Sequence, residues 1–151
     1  MSQNEIRSTE EAEIPVVKDK RFKKEFAQEL FDIAKNDLQA ARTLDADFLV
    51  RKETAMLMIQ QCIEKGLKAL LCHYEVPIPQ SHDLSLLIDR MQSTAIAIPH
   101  LIAATDFDEL TPFATLRRYE DGHFEITQDD MIAALSLAES VMDWVSIEIS
   151  K

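Results

Sequence analysis

Apolar residues recur at every third or fourth position through several long stretches of this chain, with almost no glycine or proline to interrupt them. That period places side chains on one face of an α-helix. Phe22, Phe26, Leu30, Ile33, Leu38 and Ala41 predict a first helix over about 19–44. Met56, Ile59, Ile63, Leu67, Leu70 and Leu71 predict a second over about 51–74, with Gln60, Gln61, Glu64, Lys65 and Lys68 mostly on the opposite, polar side. Gly66 lies in its middle, where glycine weakens a helix, so a close approach by a neighbouring helix is expected there. Val76-Pro77-Ile78-Pro79 then forces extended chain. Ser81 or Asp83 is placed to cap a third helix with the face Leu84, Leu87, Ile88 and Met91.

Beyond it the pattern is less regular. Pro99 can open a short helix, and Asp106 can cap another with Glu109 at its third position. Further turns are expected between Phe113 and Tyr119, followed by a loop at Glu120-Asp121-Gly122-His123. The last helix starts at Thr127, with Asp130 three residues on as a capping box, and continues through Met131, Leu135, Ala138, Met142, Val145 and Ile149. Helices of this kind bury their stripes only against each other. The expected architecture is all-α: an antiparallel up-down bundle of four main helices plus one or two short ones. With 151 residues, one domain with one core is expected, over 18–151, preceded by a polar, disordered tail over 1–17.

Charge narrows the function classes. Net charge is −11, and residues 25–151 hold 22 acids and 10 bases, a balance of −12. Such a surface repels nucleic-acid backbones on average, so any RNA contact has to be local. The cationic cluster Lys18, Lys20, Arg21, Lys23 and Lys24 stands apart from this acidity. A DNA-binding helix-turn-helix would need a basic recognition helix, and the turns here are flanked by acids. Cys62 and Cys72, ten residues apart on one helix, would lie roughly 15 Å from each other, too far for a bridge. Free thiols fit a reducing cytoplasm. No apolar run reaches membrane-spanning length, and the polar N-terminus does not read as a signal peptide. Zinc-hydrolase, P-loop and Gly-x-Gly-x-x-Gly patterns are absent, and the one Glu-x-x-His, Glu120 to His123, contains a glycine that breaks a di-iron helix. No metal or cofactor is implied.

Three segments together resemble the HEPN family. Gln60-Gln61-Cys62-Ile63-Glu64-Lys65-Gly66-Leu67-Lys68-Ala69-Leu70-Leu71 is similar to that family's second helix. His82-Asp83-Leu84 is similar to its entry into the third, and Thr111-Pro112-Phe113 with Arg118-Tyr119 to its "TPY…RYP" segment. Two departures stand out. Glu120 follows the Arg-Tyr pair where the family often has proline. Glu125 lies two residues past His123, where many toxin members carry tyrosine. The resemblance implies a homodimer and, in the members that cut RNA, an Arg and a His with four to six residues between them. Arg118 and His123 fit with four residues between them, and Arg117 with five. It further implies pairing with a minimal nucleotidyltransferase in several members, and only nucleotide binding or protein docking in others.

That residue pair suits metal-independent RNA cleavage. Histidine titrates near neutrality and can take or give a proton, while a planar guanidinium meets two phosphate oxygens at once. Glu120 or Asp121 could orient the imidazole. The non-catalytic alternatives are a solvated His123 after the glycine turn and an Arg118 paired with neighbouring acids. For His82 and Asp83 the expected role is to cap and orient the third helix. Glu64 and Lys65 are expected to form an exposed or interhelical charge pair.

Overall fold

The computed structural model describes residues 24–110 and 125–151. Within them run five helices, α1 (Lys24–Ala46), α2 (Lys52–His73), α3 (Leu84–Gln92), α4 (His100–Ala103) and α5 (Gln128–Ile149), with a 3-10 turn at Phe107–Glu109 before the last. No strand occurs among the described residues. The chain is therefore all-α, as its periodicity requires.

α1 packs chiefly on α2, and α5 closes against both. Two interhelical ion pairs join α1 to its neighbours. Lys65 Nζ reaches Asp37 Oδ2 at 2.8 Å, and Arg42 Nη2 reaches Glu139 Oε1 at 3.1 Å. The five-residue turn between α1 and α2 sends α2 back along α1. α2 and α5 run the same way, since Gly66 lies against Met142 and, further along both helices, Tyr74 bonds to Glu148. α1 therefore runs against both.

The buried stripe of α1 differs from the expected one. Ala27, Phe31, Ala34, Leu38 and Ala41 face the core, while Ile33 is exposed and Phe26 and Leu30 lie at the edge. Alanine at every seventh position explains the shift: a methyl group lets two helix backbones approach closely, so the helix turns its small residues inward and its larger ones to the flanks.

α2 departs further from the amphipathic reading. It is enclosed by α1, α3 and α5, and Gln60 and Glu64, expected on the polar side, are buried along with Ile59, Ile63, Leu67 and Leu70. Gly66 does mark a close approach. A β-carbon there would sit 3.2 Å from Met142 Sδ, 3.8 Å from Val141 Cγ1 and 3.9 Å from Val145 Cγ2. Gly66→Ala is expected to be near neutral in urea unfolding, because the roughly 1 kcal/mol gain in helix propensity offsets a small displacement of a flexible methionine end. Gly66→Val is expected to lower stability by about 1–3 kcal/mol, since branched carbons collide with two valines.

Helix ends follow local chemistry. Asp83, not Ser81, caps α3, accepting from the amides of Ser85 and Leu86. Thr127 and Asp130 form both halves of the expected capping box, at 3.1 and 2.9 Å. Asp106 Oδ1 accepts from the Asp108 amide and starts the 3-10 turn. Ser85 Oγ donates to Asp108 Oδ1 at 2.7 Å, tying α3 to that turn. α2 ends in a Schellman motif: the Glu75 amide returns to the Cys72 carbonyl and the Val76 amide to that of Leu71. Glu75 holds φ at 59°, a conformation that favours glycine. Glu75→Gly is accordingly expected to raise stability by up to about 1 kcal/mol in the same measurement.

Cys62 and Cys72 are both buried thiols, not joined in a disulfide. Burial pushes their thiols up to about 12 and about 11, which makes them poor nucleophiles. No described helix is long and apolar enough to cross a membrane.

Candidate functional site

The polar heart of the described structure is Glu64. Its position on α2 faces the chain that enters α3, so a carboxylate there meets the His82 side chain 18 residues further on. Glu64 Oε1 lies 2.8 Å from His82 Nδ1 and 3.2 Å from Gln60 Nε2. Its other oxygen accepts from Lys68 Nζ at 3.0 Å. Gln60 Nε2 also reaches the His82 carbonyl at 3.2 Å, and Gln60 Oε1 accepts from Gln61 Nε2 at 2.7 Å. Burial pushes the Glu64 carboxyl up, but the hydrogen bond and charge of Lys68, with the hydrogen bonds of His82 and Gln60, outweigh it and hold the group below the usual glutamate range. An ionised carboxylate only accepts, so the proton of this contact sits on His82 Nδ1.

The division of labour differs from the sequence reading. Glu64 and Lys65 do not pair with each other: Lys65 joins α1 through Asp37, while Glu64 serves Lys68 and His82. Asp83 caps α3 as expected, whereas His82 ties that helix's entry back to α2. Gln60 was missed as a site residue. The doubled Gln60-Gln61 followed by Glu64 was the available signal, because an amide that is fully buried among leucines needs polar partners.

Two clefts flank this scaffold. The larger, of about 790 Å³, lies between α4, the 3-10 turn and the first half of α5. Met56, Leu110, Ile126, Ala134 and Leu137 give it apolar walls, and Asp106, Glu109 and Asp130 give it acidic ones. Leu101, 71% exposed, also lines it. The smaller, of about 350 Å³, has Phe26, Leu30, Ile78 and Pro79 beside Lys68, Gln80, Ser81 and His82. Among the described residues, no group of three or more His, Cys, Asp or Glu side chains is arranged to hold a metal ion.

Arg117, Arg118, Glu120, Asp121 and His123, together with the expected turns from Phe113 to Tyr119, lie outside the described residues. So do residues 1–23, including most of the basic run. The described chain stops at Leu110 and resumes at Glu125, and both Leu110 and Ile126 are buried on the larger cleft.

Compared with known families, residues 27–148 match the HEPN domain. The chain belongs to the HEPN domain family. No curated protein and no solved structure matches it. The span takes in every helix core described above, and Gln60, Glu64, Lys68, His82 and Asp83 all fall within it. In this HEPN domain the Gln60–Glu64–His82 network, buried at Gln60 and Glu64 and exposed at His82, therefore belongs to the part that carries the family likeness.

Proposed function

We propose that this HEPN domain acts as a metal-independent endoribonuclease, working as a homodimer and paired with a minimal nucleotidyltransferase. One observation carries the reading: the Arg-x₄-His pair, Arg118 and His123, falls inside the 27–148 family match, directly ahead of the capped start of α5. His123 removes the proton of a ribose 2′-hydroxyl or supplies one to the leaving 5′-oxygen. The attacking 2′-oxygen bonds to phosphorus as the phosphorus–O5′ bond breaks. Arg118 balances the charge that gathers on the phosphorane oxygens. Arg117 adds a second positive charge, and Glu120 or Asp121 holds the imidazole in register. A twofold axis brings two such pairs together. The products are a 2′,3′-cyclic phosphate and a 5′-hydroxyl. Purified protein is expected to cut single-stranded RNA in the presence of EDTA. Cleavage that needs added divalent metal counts against the proposal.

A second reading, a non-catalytic homodimer that docks a protein or a nucleotide, draws on the larger cleft. Its apolar walls and acidic side chains suit a partner that brings apolar contacts ringed by lysine or arginine. Phe48 and Leu49, 92% and 80% exposed on the α1–α2 turn, add apolar surface of the kind that marks contact sites. Co-purification with the product of an adjacent nucleotidyltransferase gene, without RNA cleavage, is the result that would favour this reading over the enzymatic one.

A further inference from the structure

The smaller cleft is lined by residues of two kinds. Phe26, Leu30, Ile78 and Pro79 are apolar, while Lys68 and His82 bring nitrogen groups to the same cleft. Both nitrogen groups are held by the same carboxylate. Glu64, 4% exposed, holds Lys68 through one oxygen and His82 Nδ1 through the other. A buried carboxylate that fixes one imidazole nitrogen leaves the other aimed away from it, the arrangement that orients histidines in catalytic and ligand-binding sites. The His82 side chain is 58% exposed, so that outer nitrogen is reachable. Lys68 spends one of its three ammonium hydrogens on Glu64. A volume of about 350 Å³ lies within the range of small-molecule sites, which combine apolar walls with a few fixed polar groups.

We infer that this cleft binds a small amphipathic anion, with a carboxylate or phosphate head against Lys68 and the outer nitrogen of His82, and an apolar body against Phe26, Leu30, Ile78 and Pro79. Once protonated, the imidazole offers the head an N–H on each side, one for the ligand and one for Glu64. In the complex an imidazolium balances the charge of the head, because Lys68 already neutralises the Glu64 carboxylate. Neither Arg118 nor His123 is among the described residues that line it, and the anion is expected to bind whether or not the domain cuts RNA.

The test titrates the full-length, isotope-labelled protein and follows its amide resonances. Four probes are used: benzoate, phenyl phosphate, benzyl alcohol (the body without the charge) and inorganic phosphate (the head without the body). Saturable shifts are expected at residues 26–30 and 78–82 with benzoate or phenyl phosphate, and whichever of the two binds more tightly identifies the head. Benzyl alcohol and inorganic phosphate are each expected to bind at least about tenfold more weakly, the worth of one charge-assisted hydrogen bond or a comparable apolar contact. His82→Gln keeps a donor for Glu64 but lacks the outer nitrogen, and is expected to lose about tenfold in affinity for the anions alone. Ile78→Trp, which fills the cleft without touching the Glu64 network, is expected to abolish the shifts. Equal binding of charged and neutral probes, shifts confined to other regions, or an undiminished affinity in either folded variant would overturn the assignment.

Discussion

His123→Ala is expected to slow RNA cleavage by about 10²- to 10⁴-fold without shifting the unfolding midpoint. The size follows from the role: a positioned general acid or base contributes that much to a proton-transfer step. Arg118→Ala is expected to lose about 10²- to 10³-fold, the effect of removing one donor from a developing oxyanion. Arg118→Lys keeps the charge but loses the fork that spans two phosphate oxygens, so its rate should fall between those of wild type and Arg118→Ala. The double variant should be little worse than His123→Ala, because the two groups act on one transition state. Single-turnover cleavage of a labelled single-stranded RNA in EDTA measures all four. Wild-type rates in His123→Ala would remove the imidazole from the chemistry.

The largest effect on stability is expected at Lys68. Lys68→Met leaves the Glu64 carboxylate buried with only the His82 and Gln60 contacts to offset its desolvation. Breaking a buried pair in this way costs about 3–5 kcal/mol. Glu64→Gln should cost less, since Lys68 and His82 can turn their charge or dipole toward water while Gln60 retains the His82 carbonyl. The pH dependence separates the two causes. In the wild type, Glu64 titrates below its ordinary range, so its contribution is fully present above the unfolded-state value and is lost as pH falls through the folded one. In Lys68→Met, burial dominates and the carboxyl titrates above its unfolded value. Protonation then favours the folded form, and the deficit should shrink as pH falls from 7 toward 5. Urea unfolding at several pH values measures this, and a deficit that stays constant with pH would show that lost packing of the lysine stem, not the stranded carboxylate, is responsible.

The helices and their ends were legible in the sequence because they are set locally. Thr127 and Asp130 lie three residues apart, and Asp83 precedes an apolar run, so the caps could be read before any tertiary contact was known. What surrounds a helix is not local. Gln60, Gln61, Glu64, Lys65 and Lys68 look like a solvent face, and only the presence of α1, α3 and α5 around α2 makes Gln60 and Glu64 interior. Their partner, His82, comes 18 to 22 residues later across a proline-rich extension, a pairing that no periodicity encodes. The first half of α1 departs from the periodic reading for a related reason, while Leu38 and Ala41 are buried as expected. Phe26, Leu30 and Ile33 are larger than Ala27 and Ala34, but close backbone approach to α2 favours the alanines. Arg118 and His123 were legible only as residue types at a spacing, and their roles rest on that spacing and on the family match.

The chemistry of the cut ends tests the central claim most directly. RNA incubated in EDTA with the purified wild-type protein should carry 2′,3′-cyclic phosphates and 5′-hydroxyls, and RNA incubated with His123→Ala should carry almost none. Ends with a 5′-phosphate and a 3′-hydroxyl, or identical cyclic ends from both proteins, would contradict it.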